Sequence, residues 1–245
     1  MDVLCFTSTA QPEWEKGKDM KTIDIQAWPR RQHFELYRRF DHPHFSLSAN
    51  VDIGAFYPRV KQGSYSVSAA IIYLISRAAN QIPEFRYRMR GEQVVEHAVV
   101  HPSTTVLTSD DLFSFCMIRY TEDFFEFAAR AVEQMAAARQ QVVLSDEPGH
   151  DDLLFMTAIP WVSFTSFTHP THLDPGDSVP RFAWGKFFEE SGSLKMPLAV
   201  QVHHALMDGV HVGRFYAEIQ DYLYHPEVVL GEAEARSPTQ DPPDQ

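Results

Sequence analysis

Between Phe45 and Ile53 apolar and polar positions alternate strictly, with Phe45, Leu47, Ala49, Val51 and Ile53 separated by Ser46, Ser48, Asn50 and Asp52. A period of two predicts a strand with one buried face. Residues 66–81 read SVSAAIIYLISRAANQ, rich in Ala and Ile and free of Gly and Pro until Pro83, which predicts a buried helix. Phe85, Tyr87 and Met89 alternate with Arg86, Arg88 and Arg90, and Gly91 then turns the chain into Val94, Val95, Val99 and Val100. That is a hairpin pattern, with the arginines expected on a solvated face. Thr121, followed by Glu122 and Asp123, is the expected N-cap of a helix on which Phe124, Phe127, Ala128, Ala131, Val132 and Met135 recur to about residue 140. This aromatic stripe is expected to pack the core. A polar loop over 141–152 leads to an apolar stretch, Leu153 to Phe167, expected to form a strand buried on both sides. Pro197–Val202 predicts another strand and Val210–Leu223 an amphipathic helix. No internal repeat is visible, and the elements add up to a mixed sheet covered by helices.

The ends differ. Residues 1–20 are polar and irregular, which predicts a flexible extension; Met20 is an alternative start. From Pro226 onward Glu, Pro, Ser, Asp and Gln dominate, so 226–245 is expected to be a disordered acidic, Pro-rich tail. A single domain is expected over 21–225. The whole chain has 245 residues, 44% of them hydrophobic, enough for a sizeable core. Its net charge of -12 argues against nucleic acid or an anionic membrane as partner. Cys5 and Cys116 are far apart and fit neither a disulfide framework nor a zinc ribbon. No apolar run approaches the ~18 residues of a membrane span, and no secretory signal is visible, so a cytoplasmic protein is expected.

Chemistry concentrates in Val200-Gln201-Val202-His203-His204-Ala205-Leu206-Met207-Asp208-Gly209. A buried strand ends there in two histidines, four residues before an aspartate. Strand ends present side chains to clefts, and an imidazole can accept a proton near neutral pH. Gly209 is expected to allow a sharp turn that points Asp208 back beneath the loop. A purely structural His–Asp pair remains open from the residues alone. A zinc site from His203, His204, Asp208 and His211 is disfavoured, because the strand and Gly209 break the helix that such spacing needs.

The segment VQVHHALMDGVHVGRF closely resembles the active-site segment of the chloramphenicol acetyltransferase family, within the acyltransferases that share HHxxxDG. AWPRRQHFELYRR at 27–39, IPWVSFTSF at 159–167 and GKFFEESGSLKMPLAVQVHH at 185–204 extend the resemblance over roughly 21–224, in the family's order and spacing. It implies a two-layer α/β sandwich of the CoA-dependent acyltransferase type, a homotrimer with active sites between subunits. It implies that His204 is the general base, that Asp208 is structural and pairs with Arg30, and that Trp28 and His33 belong to the same segment as Arg30. Thr157 stands where the family has the serine that donates to the tetrahedral oxyanion; the hydroxyl is kept and a methyl added. Ala183 replaces the family's water-holding threonine.

For the cosubstrate acetyl-CoA, Lys186 and Phe187 match a family Lys-Tyr pair, with the tyrosine hydroxyl missing, and Trp161 flanks the pantetheine tunnel. Tyr37, Phe45 and Phe113 match positions that line the acceptor pocket. Asp41, Phe115 and Arg181 depart from it, replacing leucine, alanine and isoleucine; opposite charges in an apolar pocket suit a more polar acceptor, unless Asp41 and Arg181 pair or face away. No metal is implied. Three readings follow: O-acetylation of chloramphenicol and hence antibiotic resistance, the same chemistry on another hydroxylated acceptor, or a catalytically retired trimer that binds without turnover.

Overall fold

The computed structural model describes residues 20–109, 111–144, 150–172 and 177–231. In chain order its strands are β1 (Met20–Thr22), β2 (His44–Asp52), β3 (Tyr87–Arg90), β4 (Gln93–His97), β5 (His101–Leu107), β6 (Phe113–Met117), β7 (Leu153–Ile159), β8 (Arg181–Gly185), β9 (Phe188–Glu190) and β10 (Ser193–His203). The helices are α1 (Arg31–Tyr37), α2 (Phe56–Gln62), α3 (Val67–Gln81), α4 (Phe124–Ala138), α5 (Gly209–Tyr224) and α6 (Pro226–Leu230). The large sheet runs β2-β10-β8-β7-β5-β6, with β9 hairpinned onto β10; a small sheet runs β1-β4-β3. The β5–β7 and β7–β8 pairs are parallel and the other pairs antiparallel, so the large sheet is mixed.

The register assigns the faces. Along β10, Met196, Leu198, Val200 and Val202 enter the core with Phe182 and Trp184 of β8 and Leu154 and Met156 of β7. Helices α3, α4 and α5 supply the other half of that core through residues such as Tyr73, Phe127 and Phe215. The alternate residues point the other way: Ser46 on β2, Ala199 and Gln201 on β10, Arg181 and Ala183 on β8, Thr157 on β7, Thr105 on β5 and Phe113 and Phe115 on β6. This helix-free face is partly covered by the 160–172 segment, whose Phe167 carbonyl accepts from Ser46 Oγ at 2.7 Å.

The strand over 45–53, the helices over 66–81 and 210–223 and the hairpin turn at Gly91 (φ 63°) form as the pattern predicts. Several expectations are corrected. The arginines of β3 do not make a solvated face. Arg88 is fully buried and donates to the carbonyls of Phe85, Tyr87, Asp151 and Leu153, while Arg90 pairs with Asp151 and Arg86 with Glu96. Four carbonyl dipoles replace water around the guanidinium, whose pKa burial pushes down to about 10, so the charge persists at neutral pH. The N-cap of α4 is Asp123, whose carboxylate accepts from the Glu126 amide at 2.8 Å; Thr121 donates instead to the Glu126 side chain. The strand expected over 153–167 stops at Ile159, because Pro160 cannot continue the ladder. The expected tail begins with α6, whose Val229 and Leu230 are buried in the core; 232–245, like 1–19 of the expected extension, lie outside the described residues. No described helix is long and apolar enough to cross a membrane.

Candidate active site

Strand β10 delivers His203 and His204 to the edge of the sheet, and their side chains meet different fates. His203 is 3% exposed, and its Nδ1 accepts from the Ala205 amide at 3.2 Å. Burial pushes its pKa down to about 3, helped by the neighbouring His44. It is a neutral core group.

His204 turns outward. Its ring stacks on Tyr37 (centroids 4.0 Å apart, planes 12°) and tilts against Phe45 at 4.8 Å. Its Nδ1 donates to the Met207 carbonyl at 3.1 Å and lies the same distance from Asp208 Oδ1. A neutral imidazole that donates through Nδ1 keeps its lone pair on Nε2, and that nitrogen is then the proton acceptor.

The loop beneath His204 is clamped by Arg30. Its guanidinium binds both carboxylate oxygens of Asp208, and it also donates to the carbonyls of His204 at 2.6 Å and Ala205 at 3.0 Å. Arg30 draws the Asp208 carboxyl below its ordinary pKa, chiefly through that hydrogen bond. Asp208 is also the N-cap of α5, and its amide donates to His211 Nδ1 at 2.9 Å while His211 Nε2 meets Glu84 at 3.3 Å. His211 thus fastens the loop a second time, through Glu84. Gly209 does not adopt a positive φ, so the turn at Asp208 needs no glycine there, and a Cβ would meet nothing. His203, His204 and His211 each keep a hydrogen-bond partner of their own, and among the described residues no group of three or more His, Cys, Asp or Glu stands ready to hold a metal.

Of the residues expected at the acceptor and the oxyanion, Tyr37 and Phe45 thus lie against His204, while Thr157, Phe113, Phe115 and Arg181 lie elsewhere on the same sheet. Thr157 Oγ1 is 2.7 Å from Thr105 Oγ1, across the helix-free face from Phe115, the register partner of Thr105. Phe113 and Phe115 meet as tilted rings (centroids 5.7 Å apart, planes 40°), with Phe113 47% exposed. Ala183 is buried beside Thr157. Arg181 does not pair with Asp41: it binds Asp177, with both side chains buried, and sits 5.1 Å over the Phe155 ring. Asp41 is exposed at the surface.

Thr157 aligns with Ala183, and Ala183 with Ala199, five positions before His204. At ~3.3 Å per residue and ~4.8 Å per strand, Thr157 and His204 of one chain are ~15–20 Å apart. A single chain does not bring His204 and Thr157 together.

The three positions matched to the cosubstrate do cluster. Lys186 donates its amide to the Val162 carbonyl at 2.9 Å, and Ser163 Oγ donates back to the Lys186 carbonyl at 2.7 Å, so Trp161 and Lys186–Phe187 share one surface. Trp161 is 65% exposed, and Phe187 packs against Tyr57 at 5.8 Å. Gly185 permits this approach, because a Cβ there would lie 2.6 Å from the Val162 carbonyl. Sequence reasoning missed Thr105 beside Thr157, Asp177 beside Arg181 and His211 beside Asp208. An Asp four residues before Arg181 was the one local signal for any of them.

A solved chloramphenicol acetyltransferase superposes with a TM-score of 0.75 at 29% identity, covering 83% of this chain and 99% of that one. The dihydrolipoamide acetyltransferase of Azotobacter vinelandii shares the fold at a TM-score of 0.61 and 21% identity, over 77% of this chain and 84% of that one. Fold and site define an acyltransferase. The sequence pattern of the chloramphenicol acetyltransferase family matches residues 18–220. Chloramphenicol acetyltransferase from Klebsiella sp is 34% identical over 202 residues, covering 82% of this chain and 92% of the relative. Chloramphenicol acetyltransferase 2 from Haemophilus influenzae is 35% identical over 200 residues, 81% and 94% of the two chains. The chain belongs to the chloramphenicol acetyltransferase family.

Proposed function

We propose that the protein moves an acetyl group from acetyl-CoA to a hydroxyl of chloramphenicol, with His204 as general base and without an acyl-enzyme. The observation that carries this reading is the His204 Nδ1 bond to the Met207 carbonyl, which leaves Nε2 to take the hydroxyl proton. The alkoxide oxygen attacks the thioester carbonyl and forms a tetrahedral oxyanion. Thr157 donates to that oxyanion while its own oxygen accepts from Thr105. The C–S bond then breaks, His204 returns its proton to the sulfur, and CoA leaves as the free thiol. Holding both substrates in one complex supplies much of the rate.

The separation of Thr157 from His204 within one chain supports a site shared between copies, in a homotrimer where His204 of one subunit faces the Thr157 half-site of the next. In the same reading Trp161, Lys186 and Phe187 line the entry of acetyl-CoA, and Tyr37, Phe45, Phe113 and Phe115 enclose the acceptor. Work in the cytoplasm, where acetyl-CoA is made, and a role in antibiotic resistance follow from this activity. A more polar acceptor is the second reading, favoured by the buried Asp177–Arg181 ion pair, whose Arg181 stands on the helix-free face.

Thiol release from acetyl-CoA, with and without chloramphenicol, tests both. Release that depends on the antibiotic and falls by about 10²–10⁴-fold or more in His204→Ala, with CoA binding kept, is the expected result. Activity within a few-fold of wild type in His204→Ala would remove His204 from the mechanism. CoA binding without release would move the reading to another acceptor.

A further inference from the structure

His169 lies on the 160–172 segment over the helix-free face, anchored by its backbone rather than its ring. Its amide donates to Gln201 Oε1 at 2.6 Å, and Gln201 Nε2 donates back to its carbonyl at 3.3 Å. The ring stands edge-to-face on Phe167 at 4.8 Å. Both ring nitrogens are buried and neither has a hydrogen-bond partner. An unpaired buried polar group is destabilising, so a site that keeps one gains when something arrives to pair it.

The surroundings say what arrives. Gln201 is the register partner of Arg181, and the Arg181 charge acts on the imidazole. Arg181 and Ala183 are two apart on β8, therefore on one face and ~7 Å apart, and Ala183 is the register partner of Thr157. His169, seated on Gln201, therefore lies over the same helix-free face as the Thr157 hydroxyl, two strands and two residues away from it. Burial, with Arg181 beside it, pushes the pKa of His169 down to about 4, so near neutral pH it offers one N–H and one lone pair. Arg181 is already matched by Asp177 and cannot play this part as an unpaired charge.

We propose that His169 is a specificity-determining residue that hydrogen-bonds a second polar group of the acceptor, apart from the hydroxyl that reacts. The pocket then selects small hydroxylated molecules that carry a further hydroxyl or amide, and discriminates against simple mono-alcohols. This rests on the transferase reading above and names the class of acceptor for it. A site built to pair a polar group rejects the analogue that lacks it, because its own group is left unpaired.

The test compares chloramphenicol with 3-phenyl-1-propanol, a mono-alcohol without a second polar group, in wild type, His169→Leu and His169→Gln. The readout is kcat/KM by thiol release. In His169→Leu the preference for chloramphenicol should shrink by about tenfold or more, mainly through KM for the acceptor, with KM for acetyl-CoA within about twofold. His169→Gln, which keeps a donor and an acceptor, should recover part of the preference. An unchanged ratio, or an equal fall with both acceptors, overturns the proposal: the first means that the ring meets no acceptor group, the second that it serves only structure. If wild type itself binds CoA but releases thiol with neither acceptor, the chloramphenicol reading falls and takes this inference with it. That failure is recognised because it shows in wild type and not in the variant alone.

Discussion

Arg30 NH1 and NH2 each reach one carboxylate oxygen of Asp208, across 178 positions of sequence, and the same guanidinium holds the carbonyls of His204 and Ala205. The pair is partly buried and joins α1 to the loop that carries His204. What it fixes is the backbone carbonyl of His204, the residue proposed as the base.

Asp208→Asn should therefore lower activity through the loop and stability as well. Removing one partner of a buried ion pair costs about 3–5 kcal/mol in severe cases; the partial exposure of Asp208 places this one toward the lower end. Arg30→Ala should cost more, because it also frees two carbonyls. A double-mutant cycle by denaturant unfolding should show strong coupling. Additive losses would mean that the two side chains act separately.

The neighbouring histidines make a pH prediction. His203 titrates near 3 when folded and near 6.5 when unfolded, and His169, near 4 folded, shifts the same way. A depressed folded pKa means that the unfolded chain binds more protons between those values, so stability rises with pH there. It is fully present above about pH 6.5 and is lost as pH falls toward 4, at up to about 1.4 kcal/mol per unit for each histidine. His203→Asn, which keeps an acceptor for the Ala205 amide, should flatten the decline in unfolding free energy between pH 6.5 and 4. A slope that His203→Asn leaves unchanged would show that this ring is not neutral in the folded protein. The same burial explains why His203→Asn should spare more activity than His204→Ala.

Much of this was legible in sequence. The period-two run at 45–53 and the apolar run ending in His203–His204 became β2 and β10 because each strand's burial was written in its own residues. The Arg30–Asp208 link was readable through resemblance alone, since no local pattern joins positions so far apart. What stayed hidden depended on tertiary partners. Arg88 looked solvent-facing because alternation tells which residues share a face, not which face is inside; four carbonyls from two stretches, 85–87 and 151–153, decided that. Thr105 behind Thr157, and the His169 ring stripped of partners, arise from strand register and a covering segment. Neither leaves a trace in spacing.

Gly185 offers a test of how the 160–164 segment is placed. A methyl there would meet the Val162 carbonyl at 2.6 Å, Pro197 Cγ at 2.8 Å and Phe164 Cδ1 at 3.0 Å, two of them in the segment that carries Trp161. Gly185→Ala should push that segment off β8, raising KM for acetyl-CoA several-fold and costing about 1–3 kcal/mol by overpacking. KM for the acceptor should change less. Should the variant bind acetyl-CoA as wild type does, Trp161 and Lys186 do not form its surface.

The last prediction concerns the distance between the base and the oxyanion donor. Thr157 and His204 stand ~15–20 Å apart in one chain, whereas transfer needs both within reach of the same carbon. The proposed head-to-tail ring of copies would solve this, with each His204 facing the Thr157 of its neighbour. His204→Ala and a disabled acceptor half, Thr157→Val with Phe115→Arg, should each be inactive as pure proteins. Unfolded together in equal amounts and refolded, they form rings in which a subunit with an intact His204 sits beside one with an intact Thr157 half-site. That combination arises at about a quarter of the interfaces by chance, so activity should return to about a quarter of wild type. Mixing without unfolding should restore less, in step with subunit exchange. If the refolded mixture stays inactive while refolded wild type recovers, the site belongs to one chain and the strand register has been read across the wrong boundary.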